Sequence, residues 1–292
     1  MKPLYKAIKT AEQNKKAIAH FNVSTLEQLK AIAGVAKRTG ESVIVGVSEG
    51  EREFIGLKQI VALVESYKKE GTCLYLNADH TRSLEGVADT AEAGFDSIIF
   101  DGANLSFEEN VSKTKEAVKI CKKHSLFRHK IILEGELGYI GMSSEILDKI
   151  PEGAATKNNG FTSPEDTARF VKETGIDMLA PAVGNIHGIL QNGRNPSLDI
   201  EQIRKIRKAT GVPLVLHGGS GVSDNDFHAA IRAGISVIHI STELRVAWKK
   251  GIEESFIEYP GEVAPYKLLK RSVLKTQEIV ENRIRLFSGI GF

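Results

Sequence analysis

The chain has 292 residues, of which 41% are hydrophobic, so it is long enough to bury a large core in one or two domains. Its 39 basic and 37 acidic residues leave a formal net charge of +2, which argues against the basic surface of a nucleic-acid-binding protein. Two cysteines without paired spacing, no signal-peptide pattern and no apolar run of membrane-spanning length predict a soluble, cytoplasmic protein.

Short apolar runs alternate with helix-like segments along the whole chain. Several runs are continuous and rich in Val, Ile and Leu, as expected for strands that are buried on both faces of a parallel sheet. Eight strands are predicted, over residues 17–23, 42–47, 73–78, 97–101, 130–137, 178–183, 213–217 and 236–241. Eight strand–helix units favour an α/β chain folded as one (β/α)8 TIM barrel over residues 1–292.

A doubly wound parallel sheet is the alternative fold. Such a sheet usually has a glycine-rich turn after its first strand. The first predicted strand is followed here by Asn22-Val23-Ser24, which contains no glycine. The barrel is therefore the favoured architecture.

Helix start signals follow several predicted strands. Ser24 with Glu27 predicts a capping box, and Ser163-Pro164 predicts a helix with proline in its first turn. Ser223 precedes two aspartates and predicts another helix start. These signals support the strand–helix alternation.

Two stretches depart from that alternation. Residues 138–161 contain four glycines and a polar middle, which predicts a long irregular segment with a functional role. Residues 243–292 carry apolar residues at helical spacing, which predicts the last barrel helix followed by one or two additional C-terminal helices.

Titratable side chains cluster at the predicted strand ends. In a (β/α)8 barrel the carboxyl ends of all strands meet at one rim, where functional groups lie. Imidazole and carboxylate groups are the ligands that zinc takes in catalytic sites. The rim is predicted to carry Asp79 and His80, Glu134 and Glu136, His187, and His217. This set predicts a metal site.

The predicted seventh strand leads into Gly218-Gly219-Ser220-Gly221, just before a helix start. Glycines let an anion approach the backbone closely, and N–H groups near a helix start face such an anion. A plain flexible turn is the alternative, and the adjacent His217 favours the phosphate site.

The chain resembles the class II fructose-bisphosphate and tagatose-bisphosphate aldolases over nearly its whole length. The likeness is carried by His20-Phe21-Asn22-Val23, Val47-Ser48-Glu49-Gly50, Asp79-His80, Gly94-Phe95, Phe100-Asp101-Gly102, Phe107-Glu108-Glu109-Asn110, Glu136-Leu137-Gly138, residues 184–188 and residues 213–221. The resemblance implies a metal-dependent aldehyde-lyase that reversibly cleaves fructose 1,6-bisphosphate to dihydroxyacetone phosphate and glyceraldehyde 3-phosphate.

The resemblance also implies roles for individual residues. Zinc would be bound by His80, His187 and His217, and Asp79 would move a proton at the aldehyde carbon. Glu136 would take a second or alternative position, for another divalent ion or a monovalent cation. The phosphate of dihydroxyacetone phosphate would lie against Gly188, Gly218, Gly219 and Ser220. The polar side chains expected to face the substrate are Asn22 and Ser48.

Three departures from the family pattern bear on the substrate. The segment usually written Asn-Val-Asp-Thr reads His239-Ile240-Ser241-Thr242, which leaves the choice between the fructose and tagatose epimers open. A usual phosphate-binding lysine is Gln191, with Arg194 nearby, and a usual pair of loop acids is reduced to Glu145. We expect His239, Ser241 and Thr242 to contact substrate and Glu145 to act in catalysis.

Arg245 matches a family arginine that the resemblance implies reaches into a neighbouring subunit's site. A homodimer or homotetramer is therefore expected. Two rival functions remain, a metal-dependent hydrolase on the same barrel and a non-catalytic aldolase-like subunit. The Gly218–Gly221 phosphate loop argues against the first, and the complete set of three histidines argues against the second.

Overall fold

The eight predicted strands form a closed parallel barrel. A computed structural model describes residues 3–125, 130–142, 144–155, 160–191 and 195–289. The described strands are β1 (Ile18–Asn22), β2 (Val43–Val47), β3 (Leu74–Thr81), β4 (Ser97–Phe100), β5 (Ile132–Leu137), β6 (Ile146–Leu147), β7 (Met178–Pro181), β8 (Ile189–Leu190), β9 (Leu214–Leu216) and β10 (Ile235–Ile240). The barrel order is β1-β10-β9-β7-β5-β4-β3-β2, which confirms the (β/α)8 prediction.

Helices surround the barrel. They are α1 (Leu4–Gln13), α2 (Leu26–Thr39), α3 (Glu49–Ile55), α4 (Leu57–Lys69), α5 (Leu84–Ala93), α6 (Phe107–Ser125), α7 (Pro164–Thr174), α8 (Ile200–Thr210), α9 (Asp224–Ala233), α10 (Thr242–Glu258), α11 (Pro265–Leu268) and α12 (Lys270–Ser288). The core lies between the strands and the helices, because the barrel strands are buried along almost their whole length.

Two of the three predicted helix starts are confirmed. The side chains of Ser163 and Ser223 each accept a hydrogen bond from the backbone N–H three residues later. The prediction for α2 was wrong by one residue, since its N-cap is Thr25, which accepts from the Gln28 N–H. Gln28 takes the position expected for Glu27, and its Oε1 accepts from the Ser24 N–H at 2.9 Å.

The segment 138–161 is not wholly irregular as predicted. Its strand β6 pairs in parallel with β8, in a small sheet outside the barrel. The pair ties the segment to the loop after β7, so both flank the carboxyl end of the barrel. A two-residue strand leaves almost no periodic signal in the sequence, which explains why it was missed.

Helix α1, which we did not predict, lies at the amino end of the barrel. Its buried Leu4, Ala7 and Ile8 follow an i, i+3, i+4 pattern. They pack against residues at the amino ends of the strands, including Ile18 and Ile44. The helix therefore closes the end of the barrel opposite the predicted site, and the apolar spacing was the signal that identifies it.

The C-terminal prediction is confirmed. Helix α10 is the last barrel helix, and α11 and α12 are additional. Helix α12 packs against α10 and α2. Gly251 permits the close approach, because a Cβ at this position would lie 2.5 Å from the Ser272 backbone.

Both cysteines are free thiols, in agreement with the sequence. Burial raises the pKa of Cys121 to about 12, so this thiol stays protonated and unreactive at neutral pH. Within the described residues, no helix combines the length and apolar character needed to cross a membrane.

Replacing Ile8 by alanine should destabilise the barrel without touching the rim. The side chain is fully buried in the amino-terminal core, so the loss should be about 2–5 kcal/mol in the free energy of unfolding. Denaturant unfolding measures it. Lys6→Ala, on the exposed face of the same helix, is the matched control, and equal stability of the two variants would contradict the assigned packing.

Candidate active site

A polar pocket of about 280 Å³ opens at the carboxyl end of the barrel. Strand ends and the loops that follow them supply its walls, as the barrel geometry requires. Its lining includes Asn22, Ser48, Asp79, His80, Glu136, Glu145, His187, Gly188, Gly218, Ser220, His239, Ser241, Thr242 and Arg245. Most of the residues singled out by the sequence are thus brought to one place.

Three histidines converge beneath this pocket. One ring nitrogen each of His80, His187 and His217 lies within 4.8 Å of the others. The strand ends of β3 and β9 and the loop after β7 position them. Three nitrogens at this separation surround a single point, which is the arrangement that a tetrahedral metal site with one open position needs.

Hydrogen bonds fix which nitrogen each histidine presents. His80 Nδ1 bonds Asp101 Oδ2 at 3.0 Å, and His187 Nδ1 bonds the Gly141 carbonyl at 2.8 Å. His217 uses its other nitrogen, Nε2, to bond Glu134 Oε1 at 2.8 Å. Nε2 of the first two rings and Nδ1 of the third remain available, as outer partners of metal-binding histidines usually arrange.

Several buried polar atoms have no hydrogen-bond partner among the described residues. They include His217 Nδ1, Glu136 Oε2 and Asp79 Oδ1. Unpaired buried acceptors are costly, and a cation among them removes that cost. His217 Nδ1 and Glu136 Oε2 lie 3.7 Å apart, so this pair fits a bound metal ion.

The electrostatics of His80 indicate the same attraction for a cation. Burial alone would lower its pKa, but the negative charges of Asp79, Glu136 and Asp101 outweigh it and raise that pKa to about 10. The residue also has a backbone φ of +43°, a conformation that is uncommon outside glycine and is often found at functional sites.

The other two rings are held neutral. Burial and the neighbouring His80 lower the pKa of His187 to about 4, and burial beside His239 lowers the pKa of His217 well below its usual value. Burial raises the pKa of Glu136 to about 8, because His80 only partly offsets it. Two neutral imidazoles are therefore ready to bind a metal at neutral pH.

Asp79 lies beside the three histidines with its side chain 6% exposed. Asn22 Nδ2 donates to its Oδ2 at 2.8 Å, whereas Oδ1 lies 3.6 Å from His239 Nδ1. Burial would raise the pKa of Asp79, but His80 and His239 outweigh it and hold the pKa well below its usual value. An ionised, desolvated carboxylate with one free oxygen can accept a proton.

Comparison with known proteins identifies the family of this chain. The family Fructose-bisphosphate aldolase class-II matches residues 2–291. This chain belongs to that family. It is 33% identical over 286 residues to a Bacillus subtilis (strain 168) protein named a probable fructose-bisphosphate aldolase, covering 97% of this chain and 95% of that one. The chain is therefore an aldolase, a carbon–carbon lyase.

Two further proteins are similar to this aldolase. A 6-phospho-5-dehydro-2-deoxy-D-gluconate aldolase of Shouchella clausii (strain KSM-K16) is 31% identical over 292 residues, covering 98% of this chain and 94% of its own. The crystal structure of the YdjI aldolase from Escherichia coli K12 is 30% identical with a TM-score of 0.80, covering 97% of this chain and 96% of that one.

In the aldolase site, the predicted phosphate loop is only partly available. Gly188, Gly218 and Ser220 line the pocket, but Gly219 does not. The Gly219 N–H donates to the His239 carbonyl at 3.0 Å, and the expected contact of Gly219 with substrate stays a prediction. A Cβ at position 218 would lie 2.1 Å from the Ile186 carbonyl oxygen, and φ there is +59°, so glycine is required.

His239 forms part of an unexpected ring stack. It lies face to face with His20, with ring centroids 3.5 Å apart, and its other face lies against His217 at 4.3 Å. Gly46 makes room, since a Cβ there would lie 2.1 Å from the His20 ring. Burial lowers the pKa of His20 to about 3 and also lowers that of His239, so both rings stay neutral.

The expected role of Arg245 at a neighbouring subunit's site stays a prediction. Its guanidinium lies on the wall of its own chain's pocket and donates to Glu51 Oε1 at 2.9 Å. Arg245 lies there because it is in the first turn of α10, which follows β10 directly. Gln191 is exposed and is not part of the pocket lining, and Arg194 falls outside the described residues.

Sequence reasoning missed three pocket-side groups. Arg82 lines the pocket and pairs with Asp101 at 3.3 Å, and Glu51 is buried beneath Arg245. Arg52 donates to the Asp79 carbonyl at 3.0 Å. Their closeness to Asp79-His80 and Ser48 in the sequence was the available signal.

Glu145 lies at the pocket edge with an exposed side chain, so its predicted catalytic role stays a prediction.

The affinity of this site for Zn²⁺ should rise with pH. His80, with a pKa near 10, must lose one proton to bind a metal, so the apparent affinity should fall about tenfold per pH unit below that value. Calorimetry in buffers of different ionisation enthalpy measures the released proton. Asp101→Asn removes a negative charge that raises the pKa of His80, so it should reduce the number of protons released on Zn²⁺ binding above pH 8. An affinity for Zn²⁺ that does not change with pH would contradict the role of His80 as a ligand.

Proposed function

We propose that this class II aldolase catalyses the reversible, zinc-dependent cleavage of fructose 1,6-bisphosphate to dihydroxyacetone phosphate and glyceraldehyde 3-phosphate. The observation that carries the proposal is the convergence of three histidine nitrogens beside the ionised carboxylate of Asp79. The name of the Bacillus subtilis relative supports the substrate.

The metal would be held by His80, His187 and His217, whose nitrogen donors suit Zn²⁺. When bound, Zn²⁺ supplies a Lewis acid that polarises a ketone carbonyl. Glu136 and Asp101 form a second donor group with His80 and would hold a second divalent or a monovalent cation. The first group is favoured for zinc because two of its imidazoles stay neutral at pH 7.

Asp79 would serve as the acid–base group. In cleavage, its Oδ1 would take the proton of the hydroxyl on the carbon that becomes the aldehyde, and in condensation it would return that proton. Its Oδ2 is already bonded to Asn22, so one oxygen faces the reaction. A positioned base of this kind typically contributes roughly 10²–10⁴-fold to the rate.

The phosphate of the dihydroxyacetone half would lie against Gly188, Gly218 and Ser220. Ser241 and Thr242 also line this wall, at the start of the 17-residue helix α10. The N-terminus of a helix attracts an anion through its partial positive charge and its free N–H groups. The opposite end of the substrate would face the half-exposed Arg245 and Arg82.

The aldehyde half leaves room for other substrates. Ser241 replaces the family aspartate, so tagatose 1,6-bisphosphate is an alternative substrate. The Shouchella clausii relative supports a second candidate, 6-phospho-5-dehydro-2-deoxy-D-gluconate, which ends in a carboxylate. Guanidinium groups bind phosphate and carboxylate alike, so Arg82 and Arg245 suit either end.

We also propose that the aldolase assembles as a homodimer or homotetramer in the cytoplasm. Large apolar side chains are exposed where α10, α11 and α12 meet, and a second copy would cover them. They are Phe256, Ile257, Val263, Tyr266 and Leu274. Trp248 and Val273, on the same helices, are half-buried within the chain.

Activity should depend on a divalent metal. Cleavage of fructose 1,6-bisphosphate, tagatose 1,6-bisphosphate and 6-phospho-5-dehydro-2-deoxy-D-gluconate would be measured before and after chelation, with metal content determined in parallel. Chelation should abolish activity and Zn²⁺ should restore it, while His217→Ala should lose metal and turnover together. Full activity of metal-free protein would refute the metal requirement, and inactivity on all three substrates would refute the proposed function.

Asp79→Asn should separate chemistry from metal binding. The amide keeps the size of the side chain but cannot take a proton at neutral pH, so kcat should fall roughly 10²–10⁴-fold while zinc stays bound. Steady-state kinetics and metal analysis measure the two effects. A zinc-loaded variant with unchanged kcat would show that Asp79 only orients a histidine.

A further inference from the structure

A chain of hydrogen bonds connects the mouth of the pocket to Asp79. Arg245 Nη2 donates to Glu51 Oε1 at 2.9 Å. Glu51 Oε2 accepts from Asn22 Nδ2 at 3.1 Å, and the same amide nitrogen donates to Asp79 Oδ2 at 2.8 Å. Four side chains from β1, β3, α3 and α10 are therefore joined in one line.

The inner part of this line is buried and its outer end is not. Glu51, Asn22 and Asp79 are 7%, 6% and 4% exposed, whereas the side chain of Arg245 is 41% exposed. A buried carboxylate needs compensating partners. Glu51 has three, since its Oε2 also accepts from the Ser48 N–H at 2.8 Å.

The chemistry of the partners fixes the orientation of Asn22. Carboxylates at neutral pH only accept hydrogen bonds, so the amide must turn its NH₂ group toward both Glu51 and Asp79. This uses both amide hydrogens. Without Glu51, the Asn22 amide loses one of the two hydrogen bonds that set its plane. Its hydrogen bond to Asp79 Oδ2 is then held less firmly in direction.

Helix α3 holds Asp79 by its backbone as well. Arg52, which is buried and adjacent to Glu51, donates to the carbonyl of Asp79 at 3.0 Å and to that of Val47 at 2.7 Å. The first turn of α3 thus fixes the main chain of Asp79 through one residue and its carboxylate through the other.

We propose that Glu51 is a positioning residue with two effects. It orients the Asp79 carboxylate through Asn22, and it restrains Arg245 until an anionic group at the distal end of the substrate, a phosphate or a carboxylate, competes for the guanidinium. The inference rests on the proposed aldol cleavage at this site. It links recognition of the substrate's distal anion to the residue that moves the proton.

Two substitutions separate the two effects. Glu51→Gln keeps an oxygen for Asn22 and Ser48 but presents an amide to Arg245, which frees the guanidinium. Its KM for fructose 1,6-bisphosphate should fall severalfold, with a smaller loss of kcat than in the alanine variant. Glu51→Ala removes both contacts, so its kcat should fall roughly 10- to 100-fold, as a displaced reacting group does.

Two controls test the assignment. Glu12→Gln changes another carboxylate that is paired with an arginine, Arg207, at the amino end of the barrel, and should leave kcat and KM unchanged. Adding Arg245→Ala to Glu51→Gln should abolish the decrease in KM, since the freed guanidinium is its cause. A KM that stays low in the double variant would overturn the role assigned to Arg245.

Two measurements do not need turnover. Calorimetry should show that Glu51→Gln binds fructose 1,6-bisphosphate more tightly than wild type does, but binds inorganic phosphate equally well. A crystal structure of Glu51→Ala should show a displaced Asp79 carboxylate. If wild type cleaves none of the three substrates, the proposed function fails and these measurements still decide the inference. Wild-type bisphosphate affinity in Glu51→Gln, or an unmoved Asp79 in Glu51→Ala, would overturn it. If Glu51→Ala does not fold, the calorimetry of Glu51→Gln decides.

Discussion

The site depends on charge that is buried at the rim of the barrel. Asp79, Glu134 and Glu136 are each less than 5% exposed and lie among three histidine rings. Isolated carboxylates would not stay ionised at such depth. The carboxyl groups of Asp79 and Glu136 respond differently to burial. His80 keeps Asp79 ionised, whereas burial raises the pKa of Glu136 to about 8. A rigid barrel is needed to hold groups that attract a cation so closely together.

That constraint explains the pattern of outer hydrogen bonds. His80, His187 and His217 each bond a carboxylate or carbonyl on another element, which selects the tautomer of each ring. The two other rings of the rim, His20 and His239, have lowered pKa values and lie stacked. These neutral rings pack against the cluster of His80, His187 and His217 without adding positive charge, which would repel a cation there.

The sequence predicted the barrel because buried parallel strands leave continuous apolar runs, and it predicted the histidines because barrel topology brings strand ends together. It missed the contributions of α1 and β6, which are short or lie outside the strand–helix repeat. It could not show that the Gly219 N–H bonds the His239 carbonyl, since whether a backbone N–H is free depends on the register with β10. Glu51 was missed because its partners, Asn22 and Arg245, are 29 and 194 residues away.

Two of the departures from the family pattern lie together at the carboxyl end of β10. They are His239, in the strand, and Ser241, directly after it, whereas the departures at Gln191 and Glu145 lie elsewhere in the chain. Arg245 leaves the same strand end and is tied to Glu51 rather than left free. Under the proposed function, changes at this wall would alter which aldehyde half fits while Asp79 stays in place. The line from Arg245 to Asp79 is the physical route by which that altered wall would still act on the chemistry.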